Sequence, residues 1–259
     1  MSLWDRFKLD GKKLFITGGS RGLGKAMALA IAEAGADVVL VGREEGNLQK
    51  TADEIKQLGR KAWTIQADVG QPDQCESACE QALKNYGPID ILINNVGGRR
   101  VNIPTTEMPL ETWLEMMNLN LTSTFLCTKL IGGHMVERRT GRVINIASIS
   151  GMVSNRGIGG RHYETAKAAV IQFTRTTATD WAIFGVTVNA ICPGGFMTDP
   201  NLLWAEKHPE VIASFKAQIP MGDYGQPEDL GPLAVYLASD ASRYMTGASL
   251  VIDGGYTLL

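Results

Sequence analysis

The chain has 259 residues, of which 44% are hydrophobic and 20% are charged. Chains of this length and composition bury a sizeable core without disulfides or structural metals. The 25 Lys and Arg residues nearly balance the 27 Asp and Glu residues, which leaves a formal net charge of -2. Because nucleic acids and anionic membranes attract a clustered basic excess, neither is expected as a partner.

The N-terminus and the cysteines indicate where the protein works. Charged residues from Asp5 to Lys13 leave no room for an apolar signal segment. The apolar runs stay far below the roughly 18 residues that a membrane span requires. Four cysteines are too few and too scattered for a disulfide framework in a chain of this length. We therefore expect a cytoplasmic protein.

Two of the cysteines, Cys75 and Cys79, are spaced by one helical turn, as metal ligands often are. No second pair of Cys or His residues lies nearby in the sequence to complete a tetrahedral site. We therefore expect two buried thiols and no bound metal.

The hydrophobic pattern alternates between short β-branched runs and longer amphipathic stretches, with Gly, Pro, Asp and Asn at the breaks. The short runs predict strands at 13–17, 37–41, 62–66, 89–93, 142–146, 186–191 and 250–252. The longer stretches predict helices at 23–34, 44–58, 72–86, 110–138, 162–184 and 227–239. This alternation predicts an α/β, single-domain, doubly wound Rossmann fold over residues 1–259, with a seven-stranded parallel sheet and helices on both faces.

The segment 193–225 is longer than a usual connection and is rich in bulky residues. Folds of this type place substrate lids in long insertions at the carboxyl ends of strands. We predict a lid over 193–225 that contains a surface helix near 209–218.

The first predicted strand runs into a glycine-rich turn, Thr17-Gly-Gly-Ser-Arg-Gly-Leu-Gly24, which opens a helix. Glycine lets the backbone approach a phosphate, whose charge meets free N–H groups at the helix N-terminus. Tight turns need glycine for other reasons as well. Its position after the first strand of a βαβ pattern favours a dinucleotide site.

The second predicted strand ends in Val41-Gly-Arg43, with no carboxylate where NAD-binding folds place one for the adenosine ribose. Arg43 and Arg21 of the turn are suited to hold a 2′-phosphate, although both would also serve as solvated surface residues. Glu44 follows at once, but it stands where a helix start favours negative charge. We predict NADP as the cofactor in preference to NAD.

Tyr163 and Lys167 are four residues apart, on one face of a predicted helix. An ammonium beside a phenol favours the phenolate and lowers the tyrosine pKa toward a value useful for proton transfer. Such a pair also arises by chance, so the surrounding motifs decide its meaning.

Over nearly its whole length the chain resembles the short-chain dehydrogenase/reductase family. The motifs that carry the resemblance are Thr17–Gly24, Asp68-Val69, Asn94-Asn95-Val96-Gly97, Asn120, Ser148, Tyr163 with Lys167, Pro193-Gly194 with Thr198, and Asp253-Gly254-Gly255. Each motif is modest alone, but their order and spacing together are very specific. The resemblance implies an oxidoreductase that interconverts an alcohol and a ketone with a nicotinamide cofactor.

The resemblance also implies a role for four catalytic residues. Tyr163 would exchange a proton with the substrate oxygen, and Ser148 would hydrogen-bond to that oxygen. Lys167 would bind the nicotinamide ribose and lower the pKa of Tyr163, while Asn120 would hold a water that relays protons from Lys167. The implied cofactor-binding residues are Gly18, Ser20, Arg21, Gly22, Leu23, Gly24, Arg43, Asp68, Val69, Asn94, Val96, Gly97, Tyr163, Lys167, Pro193, Gly194 and Thr198.

Cationic side chains follow the motifs that flank the nicotinamide in this architecture, and a tryptophan lies in the predicted lid. These residues predict substrate contacts at Arg99, Arg100, Arg156, Arg161, His162 and Trp204. Guanidinium groups recognise carboxylates and phosphates, although ordinary surface arginines give the same pattern. Within the family the chain is similar to gluconate 5-dehydrogenases. We expect a small polar substrate, such as a sugar acid or a polyol.

Two other functions remain open. Reductases of 3-oxoacyl-[acyl-carrier-protein] share most of these motifs and would act on acyl thioesters. A regulator that binds NADP without turnover would need no proton relay, so the four catalytic residues speak against it. Members of the family are commonly tetramers, and we expect a homotetramer that pairs the long helices at 110–138 and 162–184.

Overall fold

The computed structural model describes residues 2–98, 103–154, 161–198 and 206–258. Seven parallel strands form one sheet in the order β3-β2-β1-β4-β5-β6-β7. The strands are β1 Lys13–Thr17, β2 Asp37–Gly42, β3 Ala62–Gln66, β4 Ile91–Asn94, β5 Gly141–Ile146, β6 Val186–Pro193 and β7 Ser249–Ile252. The predicted fold class is confirmed.

Helices connect the strands on both faces of the sheet. They are α1 Gly22–Glu33, α2 Glu45–Gln57, α3 Pro72–Tyr86, α4 Leu110–Met117, α5 Ser123–Cys127, α6 Gly133–Glu137, α7 Arg161–Trp181, α8 Pro209–Lys216 and α9 Gly231–Ala238. Short 3-10 turns extend several ends, including Pro227–Leu230 before α9. The helix predicted at 227–239 therefore begins with a tighter turn than expected.

The helix predicted at 110–138 is interrupted. Two π-helical segments, Asn118–Thr122 and Thr128–Gly132, separate α4, α5 and α6. In the first segment the Asn120 amide donates to the Met116 carbonyl over 2.9 Å, and directly after it the Ser123 hydroxyl donates to the Leu119 carbonyl over 2.7 Å. Side chains that bond carbonyls four residues earlier compete with the backbone ladder, so hydrophobic periodicity does not reveal the interruption.

The fourth strand begins two residues later than predicted. Ile89 and Asp90 lie before β4, whose first residue is Ile91. The Asp90 carboxylate accepts a hydrogen bond from the Lys13 backbone over 3.1 Å and pairs with Arg138 over 2.7 Å. The hydrophobic pattern does not show these polar contacts of Asp90, so it places the start of β4 too early.

The sheet is covered on both faces, which explains why its strands are almost wholly apolar. Successive side chains of β1 alternate between two cores, since Leu14 and Ile16 pack with α1, α2 and α9, and Phe15 packs with α3 and α5. All three side chains are fully buried. Burial of one such side chain contributes about 1.5–3 kcal/mol to folding, so the central strands anchor the whole scaffold.

Chain order reverses beside β1, whose two neighbours are β2 and β4. In open parallel sheets the connections on either side of such a point leave in opposite directions, and a crevice forms at the carboxyl ends of the strands. The loops after β1, β2, β4 and β5 therefore meet at one edge of the sheet.

Cys75 and Cys79 are both buried free thiols, as expected, and a third cysteine joins them. Cys127 on α5 brings its thiol against the Cys75 and Cys79 pair on α3, although it is distant in the sequence. The three thiols meet because α3 packs against α5, and the local spacing of cysteines in the sequence does not show this contact. No helix among the described residues is both long and apolar enough to cross a membrane.

Candidate active site

A cleft of about 540 Å³ opens at the carboxyl edge of the sheet. It brings together nearly all of the residues that the sequence assigned to the cofactor. Those along the cleft are Gly18, Ser20, Arg21, Gly22, Leu23, Gly24, Arg43, Asp68, Val69, Val96, Gly97, Tyr163, Lys167, Pro193, Gly194 and Thr198, and Ser148 joins them. Asn94 and Asn120 lie behind this surface.

The glycine turn holds the start of α1 against the end of β1. Gly18 has φ +67°, and a Cβ on Gly24 would lie 2.1 Å from the Gly18 carbonyl oxygen. Since no side chain fits at that distance, only glycine allows the helix to begin so close to the strand. The N-terminus of α1 is thereby presented to the cleft, where its free N–H groups suit a phosphate.

Asn95, the residue after β4, ties this turn to β4. The Asn95 side-chain amide donates to the carbonyls of Thr17 and Gly18 over 3.0 and 3.2 Å. The Thr17 hydroxyl accepts from the backbone N–H groups of Asn95 and Val96 over 3.0 and 3.1 Å. These bonds fix the turn to the neighbouring strand.

Asn94, predicted to line the cofactor, instead points into the interior. Its amide donates to the Thr128 hydroxyl over 3.0 Å and to the Asn145 amide oxygen over 2.9 Å. Asn145 in turn donates to Thr174 over 2.9 Å. Consecutive side chains at a strand end face opposite sides, so of the two asparagines only Asn95 reaches the cleft.

Ser148 follows β5 and caps the 3-10 turn at Ile149–Gly151. Its hydroxyl oxygen accepts a hydrogen bond from the Ser150 backbone N–H over 3.1 Å. The hydroxyl proton is therefore left to donate to an oxygen in the cleft.

Tyr163 and Lys167 lie in the first two turns of α7, and both face the cleft. The Lys167 Nζ is 5.8 Å from the centre of the Tyr163 ring and donates to the Ile146 carbonyl over 2.8 Å. Burial lowers the pKa of Lys167 to about 8, while the nearby Cys192 acts in the opposite direction. The geometry brings an ammonium beside the phenol, as the spacing predicted.

Asn120 is fully buried in the first π-helical segment, where it faces the loop after β4. Its amide oxygen accepts from the Gly98 N–H over 2.8 Å. A Cβ on Gly97 would lie 2.9 Å from that amide oxygen and 2.6 Å from the Lys167 Nζ. Gly97 thus lets Asn120 and Lys167 approach each other from two sides of the loop.

The far end of the cleft carries the predicted cationic residues. Ser20, Arg21 and Arg43 line it, with Glu44 beside them. The Arg43 guanidinium Nη1 lies 3.9 Å from the Asp68 carboxylate, and both side chains are partly exposed. Such an exposed pair is weak, so Arg43 remains available to a ligand.

The predicted substrate contacts are divided. Arg99, Arg100, Arg156 and Trp204 lie outside the described residues. Arg161 begins α7, pairs with Glu164 over 3.2 Å and lines a second cavity of about 350 Å³ with Trp113. His162 is fully buried. Neither Arg161 nor His162 is among the described residues that line the main cleft.

Comparison with known proteins identifies the family. The profile of a family described as enoyl-(acyl carrier protein) reductase matches residues 18–257. A 3-oxoacyl-[acyl-carrier-protein] reductase from Synechocystis is 38% identical over 252 residues, which cover 96% of this chain and 98% of that relative. The chain belongs to the short-chain dehydrogenase/reductase family. It is therefore an oxidoreductase, as its motifs implied.

Two further relatives within this short-chain dehydrogenase/reductase family bear on substrate and cofactor. The gluconate 5-dehydrogenase of Gluconobacter oxydans is 35% identical over 260 residues, which cover 100% of this chain and 99% of that protein. A crystal structure of a gluconate 5-dehydrogenase from Burkholderia cenocepacia, in complex with NADP and tartrate, covers 100% of both chains at 32% identity with a TM-score of 0.91.

The cleft fits the dinucleotide of a short-chain dehydrogenase/reductase on its own geometry. Gly24 and Gly97 leave room where any Cβ would collide with Gly18 or Lys167. A helix N-terminus and the cationic side chains of Arg21 and Arg43 face the same space. Hydrogen-bond donors at one end and a lysine at the other match a ligand that carries phosphates and ribose hydroxyls.

Sequence reasoning missed several residues that line the cleft in this family member. They are Val41, Gly42, Glu44, Ala67, Asn95, Gly98, Leu119, Ile146, Ala147 and Phe196. Most of them end a strand or follow one directly, so the strand predictions already carried a usable signal. Asn95, the second of two adjacent asparagines at the end of β4, was the missed residue that the sequence indicated most clearly.

Proposed function

We propose that the protein is an NADP-preferring oxidoreductase that interconverts a secondary alcohol and a ketone on a small polar substrate. We favour a sugar acid or a polyol as the substrate, with gluconate and its 5-keto form as the example. The observation that carries the proposal is that Ser148, Tyr163 and Lys167 line the same cleft as the glycine turn. The cofactor, when bound there, supplies hydride transfer at its nicotinamide.

Each catalytic side chain has a definite task in this proposal. Tyr163 donates its proton to the substrate oxygen when a ketone is reduced and takes it back when an alcohol is oxidised. Ser148 donates a second hydrogen bond to the same oxygen, because its own oxygen is already engaged by Ser150. The Lys167 ammonium, 5.8 Å from the centre of the Tyr163 ring, binds ribose hydroxyls of the cofactor.

Asn120 completes the proposed proton path. Its amide is held by the Met116 carbonyl and the Gly98 backbone, so it cannot rotate freely. We assign to it a water that passes protons between Lys167 and solvent. Asn120 lies in the first π-helical segment, Asn118–Thr122, whose widened turn interrupts the regular helix at this position.

The NADP preference rests on Arg43, together with Arg21 and Ser20, at the adenosine end of the cleft. Arg43→Ala should raise the KM for NADP about 10–100-fold, the equivalent of about 1.5–3 kcal/mol for a charge-assisted hydrogen bond, and leave the KM for NAD nearly unchanged. Lys25→Ala is the matched control, since it removes one positive charge that pairs with Glu54 over 2.7 Å. Equal effects of Arg43→Ala on both cofactors would overturn the assignment.

The substrate proposal rests on likeness to the sugar-acid enzymes. The relative from Gluconobacter oxydans matches this chain along its whole length, and the related crystal structure holds tartrate, a small hydroxylated acid. The 38% identity to a 3-oxoacyl-[acyl-carrier-protein] reductase favours a second candidate, reduction of acyl thioesters. Rates with gluconate, galactitol and an acetoacetyl thioester separate the two. A rate confined to the thioester would replace the first candidate with the second.

We further propose a homotetramer, located in the cytoplasm. Leu110 and Leu114 on α4 and Phe125 on α5 are 70%, 51% and 45% exposed, and Phe125 packs edge-on against Phe173 of α7. A second copy of these helices would cover that apolar surface. Light scattering at micromolar concentration should give four times the chain mass, whereas a monomer would exclude this arrangement.

Residues 1–259 form one domain in this proposal, with a substrate lid at 193–225. Within the described part of the lid, the Phe215 ring on α8 stacks on Tyr224 at 5.5 Å and on Tyr256 at 4.7 Å. This aromatic stack gives the lid a fixed base beside the C-terminal segment. Phe215→Ala should therefore raise the KM for substrate more than the KM for NADP.

A further inference from the structure

Three cysteines lie together in the core away from the cleft. Cys75 and Cys79 occupy one face of α3, and Cys127 ends α5 opposite them. Their Sγ atoms all lie within 4.8 Å of one another, and those of Cys75 and Cys127 are 3.5 Å apart. All three side chains are fully buried as free thiols. Packing alone does not require three sulfur atoms to converge on one point.

The separations are close to those of three sulfur atoms bound to a single central atom. With bonds of about 2.3 Å, three sulfur ligands lie about 3.5–4.0 Å apart, from a pyramidal to a planar arrangement. Small side-chain rotations would bring the three thiols into that range. Within the described ranges, no His, Asp or Glu ligand atom joins the group. The cluster therefore offers three soft donors, one fewer than a structural zinc site uses.

The surroundings select the charge of the occupant. The cysteines pack with apolar neighbours that include Ala78, Leu126 and Ile131. Three thiolates carry three negative charges, so a monovalent or divalent ion would leave net charge buried in this apolar core, at a high free-energy cost. A soft trivalent centre bound by three thiolates leaves no net charge in the core.

We propose that Cys75, Cys79 and Cys127 form a binding site for trivalent arsenic, taken up as arsenous acid. In this reaction three S–H and three As–O bonds break, and three As–S and three O–H bonds form. Each thiol proton leaves with one arsenic hydroxyl as water, so the products are one arsenic trithiolate and three waters. Arsenic keeps its oxidation state, no electrons are exchanged, and the product is neutral.

The N-terminal turn of α3 provides the entry. Cys75 lies in this turn, where its N–H donates to the Gln71 carbonyl over 3.0 Å. The Gln71 side chain makes no capping hydrogen bond to the helix. First turns without a side-chain cap open at low free-energy cost. Opening here exposes Cys75 first, and arsenic held by Cys75 then meets Cys79 and Cys127 as the turn closes.

Titration of the purified full-length protein with sodium arsenite tests the proposal directly. Native mass spectrometry should show one arsenic per chain with the loss of three hydrogens. X-ray absorption on the wild-type adduct should show three sulfur neighbours around arsenic, which requires no variant. The midpoint of thermal unfolding should rise, because the adduct joins α3 to α5.

Single substitutions locate the site. Cys75→Ser, Cys79→Ser and Cys127→Ser should each weaken arsenite binding at least about tenfold. Cys192→Ser is the matched control, because Cys192 belongs to a separate buried cluster on β6, and it should bind arsenite as the wild type does. Absence of a wild-type adduct, or only two sulfur neighbours, would overturn the proposal. Tighter binding of Zn²⁺ or Cu⁺ than of arsenite would overturn the argument from charge. None of these outcomes depends on the proposed function.

Discussion

The buried ammonium of Lys167 should destabilise the fold in a manner that depends on pH. Burial lowers its pKa from 10.5 to about 8, with Cys192 opposing the shift. Below about pH 8 the folded and unfolded chains both carry the proton, so the full penalty is present. As the pH rises from about 8 to about 10.5, the unfolded chain binds more protons than the folded one. The free energy of unfolding therefore rises over this range.

The size of the effect follows from the two pKa values. At about 1.36 kcal/mol for each pKa unit, the difference between 10.5 and about 8 corresponds to about 3 kcal/mol. About 2 kcal/mol of this is recovered between about pH 7 and about pH 9.5. Lys167→Met keeps most of the side-chain volume and removes the charge, so it should remove this contribution.

Urea unfolding of the cofactor-free protein at the two pH values measures the effect. The stability of the wild type relative to Lys167→Met should increase by about 2 kcal/mol on going from the lower to the higher pH. Lys129→Met is the control, because Lys129 is half exposed and lies 3.9 Å from Glu76 at the surface. Parallel pH profiles for the wild type and Lys167→Met would refute the reasoning.

Two glycine substitutions test close approaches within the fold. Gly97→Ala would place a Cβ 2.6 Å from the Lys167 Nζ, and steady-state kinetics should show kcat reduced about 100-fold with the fold retained; an unchanged kcat would contradict the assigned geometry. Gly132→Ala would place a Cβ 2.6 Å from the Trp181 ring, whereas Gly133→Ala meets nothing within 4 Å. Urea unfolding should therefore show a loss of about 1–3 kcal/mol for the first and a gain of about 1 kcal/mol for the second; equal effects would show that the ring yields freely.

The sheet and its outer helices could be predicted because they are encoded locally. Strands buried on both faces are almost continuously apolar, so β1 and β2 stand out from the sequence. The glycine turn and the Tyr163 and Lys167 pair are also local patterns, and they place most of the cleft. The family resemblance rests on the order of these motifs along the chain, and it assigned them to one site.

The remaining features depend on contacts between distant segments. The π-helical segment at Asn118–Thr122 arises where side chains compete with the backbone, which hydrophobic periodicity does not record. Which of the two adjacent asparagines faces the cleft, Asn95 and not Asn94, depends on the residue at which β4 ends. Cys127 reaches Cys75 only through the packing of α3 against α5, because no spacing in the sequence relates the two residues.

The most direct test of the central claim is the initial rate of NADP reduction with gluconate, with NAD in parallel and Tyr163→Phe as the blank. The account predicts a rate that depends on Tyr163 and is higher with NADP than with NAD. A Tyr163→Phe variant that keeps the wild-type rate would contradict the proposed catalytic role of the cleft.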